Sequence, residues 1–174
     1  MNLRKYEDIA LSNKDIFKLL NGKVKIVVYP DLYKYNTLDQ VMGPHKACIL
    51  LFEARKNYGH WVCIFKLNEN TVEFFNPYGG FPDDSLKFIN QDFRKETHQD
   101  IPILSQLMID SRYKLTYNEF IFQQHSKDIK TCGRHCVVRL LFRDLSLYEY
   151  EELLKYISDQ TNLNYDEIVT LLTI

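Results

Sequence analysis

The longest apolar runs lie in the middle of the chain. His60 to Leu67 and Thr71 to Phe75 are β-branched and aromatic runs separated by Asn68-Glu69-Asn70, which predicts a β-hairpin. Asn76-Pro77-Tyr78-Gly79-Gly80-Phe81-Pro82 breaks the second strand sharply. Upstream, Ala47 to Glu53 is a continuous apolar run expected to be a buried strand, and Val24 to Tyr29 is a β-rich run stopped by Pro30. Downstream, Tyr113 to Phe122 also reads as a strand.

Helical spacing dominates the two ends. Ser12-x-x-Asp15 caps a short helix through Ile16, Leu19 and Leu20 that closes at Asn21-Gly22, and Thr37 to Met42 is one more helical turn. Ser85 to Phe93 and Ile103 to Ser111 are expected helices. Gln123 to Thr131 is loop, and from Cys132 the chain turns helical to Phe142. Ser146-x-x-Glu149 opens a helix to Ile157, and Asn164-x-x-Glu167 opens a last one to about Leu172. Strands in the middle with helices on both sides predict an α+β fold. It would be a small, mostly antiparallel central sheet with flanking helices, one of them headed by Cys132.

Composition bounds this picture without sharpening it. A chain of 174 residues, 45% hydrophobic and 26% charged, suits one domain spanning 1–174. Its 12 Tyr and 11 Phe fit an aromatic core with tyrosines at the rim, or a surface that grips peptide. A net charge of −1 offers no global field for nucleic acid or membrane. Basic residues nevertheless concentrate near Cys132 (Lys127, Lys130, Arg134, Arg139), and acidic ones follow Ser146. The N-terminus has no apolar signal region and no run is long enough to span a bilayer, so a protein that is not secreted and has no membrane partner is expected. Reduced thiols are then the default for Cys48, Cys63, Cys132 and Cys136.

Cys132 differs from the other three by its place. It sits where a polar loop becomes a helix, where backbone N–H groups, the helix dipole, and the flanking Lys130 and Arg134 are expected to favour thiolate. Cys48, Cys63 and Cys136 read as packing. A nucleophilic cysteine needs a base and a group that orients the base. Of five histidines, His60 stands at a strand start after Gly59, with a fixed backbone and an accessible ring. The hairpin brings the end of its second strand, Asn76, opposite His60, and an amide oxygen there can hold the imidazole. The backbone N–H of Cys132 and a side-chain amide from Gln123 or Gln124 are candidate oxyanion donors. A zinc site from Cys132, His135, Cys136 and His125 lacks a second pair of ligands at the right spacing, so no metal and no cofactor are expected.

Gly59-His60-Trp61, then Phe75-Asn76-Pro77-Tyr78-Gly79, then Gln123 or Gln124, then Thr131-Cys132-Gly133-Arg134-His135-Cys136 resembles the adenovirus-type cysteine proteases. The order is similar to that of the wider clan of ubiquitin-like-protein-specific proteases, and the short frame is similar to maturation proteases of virophages, Polinton-type elements and large DNA viruses. The resemblance runs from about residue 12 to about residue 143. It implies Cys132 as nucleophile, His60 as general base, Asn76 as its orienter and Gln123 or Gln124 at the oxyanion. It also implies Trp61 packed at the site and Gly133 leaving room for a substrate backbone. Many relatives carry an acidic residue at the position of Asn76, and the glutamine lies farther ahead of the cysteine than in many of them.

The expectation is therefore a cysteine endopeptidase that cleaves viral capsid or core precursor polypeptides near small or glycine residues. It would act as a monomer, in the virion or in the virus factory or cytoplasm of the infected cell. A DNA or peptide activator is a further implication of the resemblance. The alternatives are an isopeptidase of the deubiquitinase or deSUMOylase kind and a non-catalytic virion interaction protein.

Overall fold

The computed structural model describes residues 2–174. Five strands form one sheet in sequence order: β1 (Lys25–Val28), β2 (Ala47–Arg55), β3 (Tyr58–Asn68), β4 (Thr71–Phe75) and β5 (Lys114–Tyr117). The pairings β2–β3 and β3–β4 are antiparallel, the second being the hairpin that the sequence predicts. β1–β2 and β4–β5 are parallel, so the sheet is evenly mixed rather than mostly antiparallel. The reason lies in the connections. Parallel neighbours need a crossover of about a dozen residues or more. Tyr29 to Lys46 supplies one through a 3-10 turn (Tyr29–Lys34), and Asn76 to Tyr113 supplies the other. Pro30 thus does not merely end a strand; it occupies the first turn of that 3-10 segment.

The helices in order are α1 (Arg4–Glu7), α2 (Asn13–Leu19), α3 (Leu38–Met42), α4 (Gln91–Glu96), α5 (Ile103–Asp110), α6 (Cys132–Leu141), α7 (Leu147–Thr161) and α8 (Tyr165–Leu171). The capping boxes at Ser12/Asp15, Ser146/Glu149 and Asn164/Glu167 form as the sequence predicts. Ser85 to Phe93 is not one helix. A 3-10 turn covers Asp84–Phe88, and α4 starts afresh at Gln91 because the Asn90 side chain accepts the N–H groups of Asp92 and Phe93. Tyr113 to Phe122 is strand only over β5; beyond it Asn118 takes the chain into irregular structure.

Period-two alternation divides the sheet side chains between two cores. Ile49, Leu51, Trp61, Cys63, Phe65 and Phe75 face α6 and α7, with Cys136, Val137, Leu140, Tyr150 and Leu154. Leu50, Phe52, Val62, Ile64, Val72 and Phe74 face the other layer, with Tyr29, Leu32, Val41, Leu86, Leu104 and Met108. A buried ion pair crosses the first core. Arg139 donates from Nε and Nη2 to the two Glu73 carboxylate oxygens at 2.8 and 3.0 Å, and to the carbonyls of Phe142 and Leu145. Its guanidinium is sandwiched between the rings of Phe65 and Tyr150, each centroid 4.9 Å away.

Candidate active site

The site forms where β4 stops. Its last pairing sets Phe75 opposite Cys63, so His60 and Trp61 extend β3 past the end of its neighbour. Asn76, the first residue off the strand, is 2% exposed. Asn118 pins its main chain, accepting the Asn76 N–H at 3.0 Å and donating to the Asn76 carbonyl at 2.6 Å. The Asn76 side chain then reaches back to His60, with Oδ1 2.7 Å from the imidazole Nε2. Gly59 is the residue that lets β3 approach closely here, because a Cβ on it would stand 1.8 Å from the Phe52 carbonyl oxygen.

This arrangement fixes the tautomer. Asn76 Oδ1 also accepts the Tyr78 backbone N–H at 3.0 Å, and Asn76 Nδ2 donates to Ser85 Oγ at 3.3 Å. A backbone N–H can only donate, so the atom facing both Tyr78 and His60 is the amide oxygen. His60 must then donate from Nε2–H, and its Nδ1 carries the free lone pair. The Tyr78 ring lies over the imidazole, centroids 4.5 Å apart, and the exposed His125 ring lies on Tyr78 at 4.0 Å. Burial outweighs the Asn76 hydrogen bond and pushes the His60 pKa down to about 4.

Cys132 enters from the other side. It is the first residue of α6 and 7% exposed, and the backbone N–H groups of Trp61, Gly133 and Cys132 itself favour its charged form. The residue after His60 thus favours the thiolate form through its N–H, while no hydrogen bond joins Cys132 to His60. The expected thiolate is corrected here. Burial raises the Cys132 pKa above its ordinary value, and the backbone donors offset this only in part. Lys130 and Arg134 do not help, because both side chains are engaged elsewhere. Lys130 pairs with Asp8 at 2.8 Å, and Arg134 is buried against Thr173 and the Tyr6 carbonyl. Arg139 is engaged by the buried Glu73 carboxylate, and Arg143 by the Lys46 and Lys66 carbonyls. Burial thus favours the neutral imidazole at His60 and the thiol at Cys132.

The remaining expected residues fall as follows. Trp61 packs against the start of α6 and donates from Nε1 to the Leu11 carbonyl at 3.2 Å. The Cβ direction of Gly133 is filled by Trp61, Leu11 and Ile16 at 3.2 to 3.4 Å, so its small size serves close packing there rather than an open groove. Gln123 points inward and donates to the Ile129 carbonyl at 3.2 Å, with its Oε1 buried and unpartnered. The Gln124 side chain is exposed. Cys136 is fully buried against the Trp61 carbonyl, and burial raises its pKa, as it does for Cys48.

Two residues of this region, Asn118 and Asp166, are not visible as functional in the sequence. Asn118 holds Asn76, and Tyr78, which the sequence places in the motif after β4, covers His60. Asp166, fully buried on α8, accepts from the Thr131 hydroxyl, from His135 Nε2 at 3.0 Å and from the Gln124 N–H at 3.0 Å. It clamps the entry to α6 from behind. Among the described residues, no group of three or more His, Cys, Asp or Glu side chains gathers as a metal site.

The fold and site define an α+β protein in which one hairpin supplies an oriented imidazole and a helix start supplies a thiol. No protein-family profile matches the chain. It is 51% identical over 175 residues to the "Uncharacterized protein V9" of Sputnik virophage, covering 99% of this chain and 98% of that protein. The chain belongs to the family of that virophage protein. No helix among the described residues is long and apolar enough to cross a membrane.

Proposed function

We propose that this protein is a cysteine endopeptidase of the adenovirus type. One observation carries the reading: Asn76 Oδ1, held by the Tyr78 N–H, orients His60 with Nδ1 as the free base, one residue from Trp61, whose N–H favours the charged form of Cys132. That is the division of labour a Cys-His-Asn hydrolase needs.

In this mechanism the Cys132 thiol gives its proton to His60 Nδ1 as sulfur bonds to the peptide carbonyl carbon. The resulting oxyanion takes the Cys132 N–H and a glutamine amide, with Gln123 favoured over Gln124 by its inward position. Nδ1–H then protonates the amine as the C–N bond breaks, leaving a thioester. Water attacks, giving a proton to Nδ1; the C–S bond breaks and the proton returns to sulfur. Because burial favours the neutral form of both groups, proton transfer accompanies attack instead of preceding it.

The virophage relative supports a viral setting, and the substrates proposed are capsid or core precursor polypeptides. The test is co-expression with the major capsid protein of the same genome, followed by mass spectrometry of new termini. Defined new termini are expected with the wild-type chain and none with Cys132→Ala. Identical termini in both samples would remove the peptidase reading.

A further inference from the structure

We propose that the cavity beside His60 is a substrate subsite on the leaving-group side, built for one large apolar side chain such as Leu, Met or Phe. The proposal rests on the peptidase reading above. The cavity has a volume of about 280 Å³, and Phe52, Ala54, Phe88 and Ile89 line it together with His60 and Tyr78. That is below the roughly 300–1,000 Å³ of small-molecule sites, a size that suits a single side chain.

Its position decides which side of the cleaved bond it serves. His60 must reach the amine that leaves, so the residue carrying that amine lies against the imidazole. The cavity shares His60 as a wall, whereas Cys132, which holds the acyl part, does not line it. A side chain on the leaving residue therefore has this cavity within reach. A separate cavity of about 550 Å³ runs along Trp61 and Leu11 on the other side of Tyr58-Gly59.

The rim carries aromatic surface that the core does not use. Phe88 is 74% exposed and Tyr58 41%, both bordering the cavity. The 3-10 turn Asp84–Phe88 that presents Phe88 also holds Ser85, the partner of Asn76 Nδ2, so one segment supplies both a wall of the subsite and a hydrogen-bond partner of the His60 orienter. An apolar side chain seated there would exclude water from the covered face of His60 and add to selectivity. Discrimination of a large apolar from a small residue in such a pocket is on the order of tenfold or more.

The experiment incubates the protein with an unbiased peptide library and reads new N-termini by mass spectrometry, comparing wild type with Ala54→Phe and Phe88→Ser. Ala54 is exposed, so the larger ring can fill the cavity without disturbing the core. Expected are new N-termini enriched roughly tenfold in Leu, Met or Phe over Gly, with the enrichment falling toward parity in both variants. Cleavage without that enrichment, or enrichment that both variants keep, overturns the subsite and leaves the peptidase reading intact. No cleavage by the wild-type chain overturns the peptidase reading, and the subsite falls with it.

Discussion

Replacing Asn76 by Asp tests the tautomer argument directly. The change keeps the side chain's size and puts a carboxylate oxygen where the amide oxygen now stands 2.7 Å from His60 Nε2. The Tyr78 N–H still has its acceptor, and the Ser85 hydroxyl can turn from accepting to donating. Two opposite unit charges about 4 Å apart attract by roughly 4 kcal/mol at an effective dielectric constant near 20, and desolvation of the carboxylate takes part of that back. A neighbouring opposite charge commonly moves a pKa by about one to three units. His60 should therefore rise from about 4 to roughly 5–7. The sign for stability follows. In the wild-type chain the folded pKa lies below the unfolded value of about 6.5, so the stability linked to neutral His60 is complete above about 6.5. It is lost as pH falls toward about 4, by at most about 3 kcal/mol. With Asn76→Asp that window narrows and the acid loss shrinks. The assay is a His60 ring titration by NMR, with the rate of Cys132 alkylation followed over the same pH range. The acid limb of alkylation should move up with the His60 pKa. A folded variant whose His60 pKa stays near 4 would refute the facing of Asn76 Oδ1 and Nε2.

Iodoacetamide applied to the native protein should modify Cys132 ahead of Cys48, Cys63 and Cys136, and faster as pH rises because burial holds its pKa up; peptide mass mapping at two pH values checks this. Equal labelling of Cys136 would contradict it. Arg139→Met should cost about 3–5 kcal/mol by stranding the buried Glu73 carboxylate, a fall of roughly 6–20 °C in Tm by calorimetry. Adding Glu73→Met should recover most of that loss, and a double variant no more stable than the single one would show that the ion pair is not the cause. Gly59→Ala should cost about 3 kcal/mol or more in urea denaturation, since the new Cβ meets the Phe52 carbonyl at 1.8 Å. Near-wild-type stability would mean that β2 and β3 separate there without penalty.

Much of the site was legible because it is encoded locally. The β-rich runs His60–Leu67 and Thr71–Phe75 and the short turn between them mark the hairpin, and its register brings Asn76 near His60. The apolar run after Cys132 likewise announces α6. What the sequence hides are partners chosen across long separations. Asn118 meets Asn76 from 42 residues away, Asp166 meets Thr131 from 35, and Glu73 meets Arg139 from 66. No spacing rule marks such pairs. The parallel pairings of β1 and β5 escape for the same reason, since crossovers set them and not strand composition. The thiolate inference failed differently. Lys130 and Arg134 are neighbours of Cys132 in sequence, but their side chains leave toward Asp8 and Thr173, and burial then governs the thiol.

The feature that organises the rest is the early end of β4. Pro77 has no N–H to continue a ladder, and its carbonyl is taken instead by the N–H groups of Phe122 and Gln123. The strand therefore stops at Phe75 while β3 extends past it, which leaves a space for the Asn76 side chain to reach His60. The same carbonyl contact draws Gln123 in toward the loop that leads to Cys132. One proline thus gathers the hairpin, the glutamine and the helix start. The Asn-Pro pair is readable in the sequence as a strand stop; its second consequence, the anchoring of Gln123, depends on a return of the chain that only the folded topology supplies.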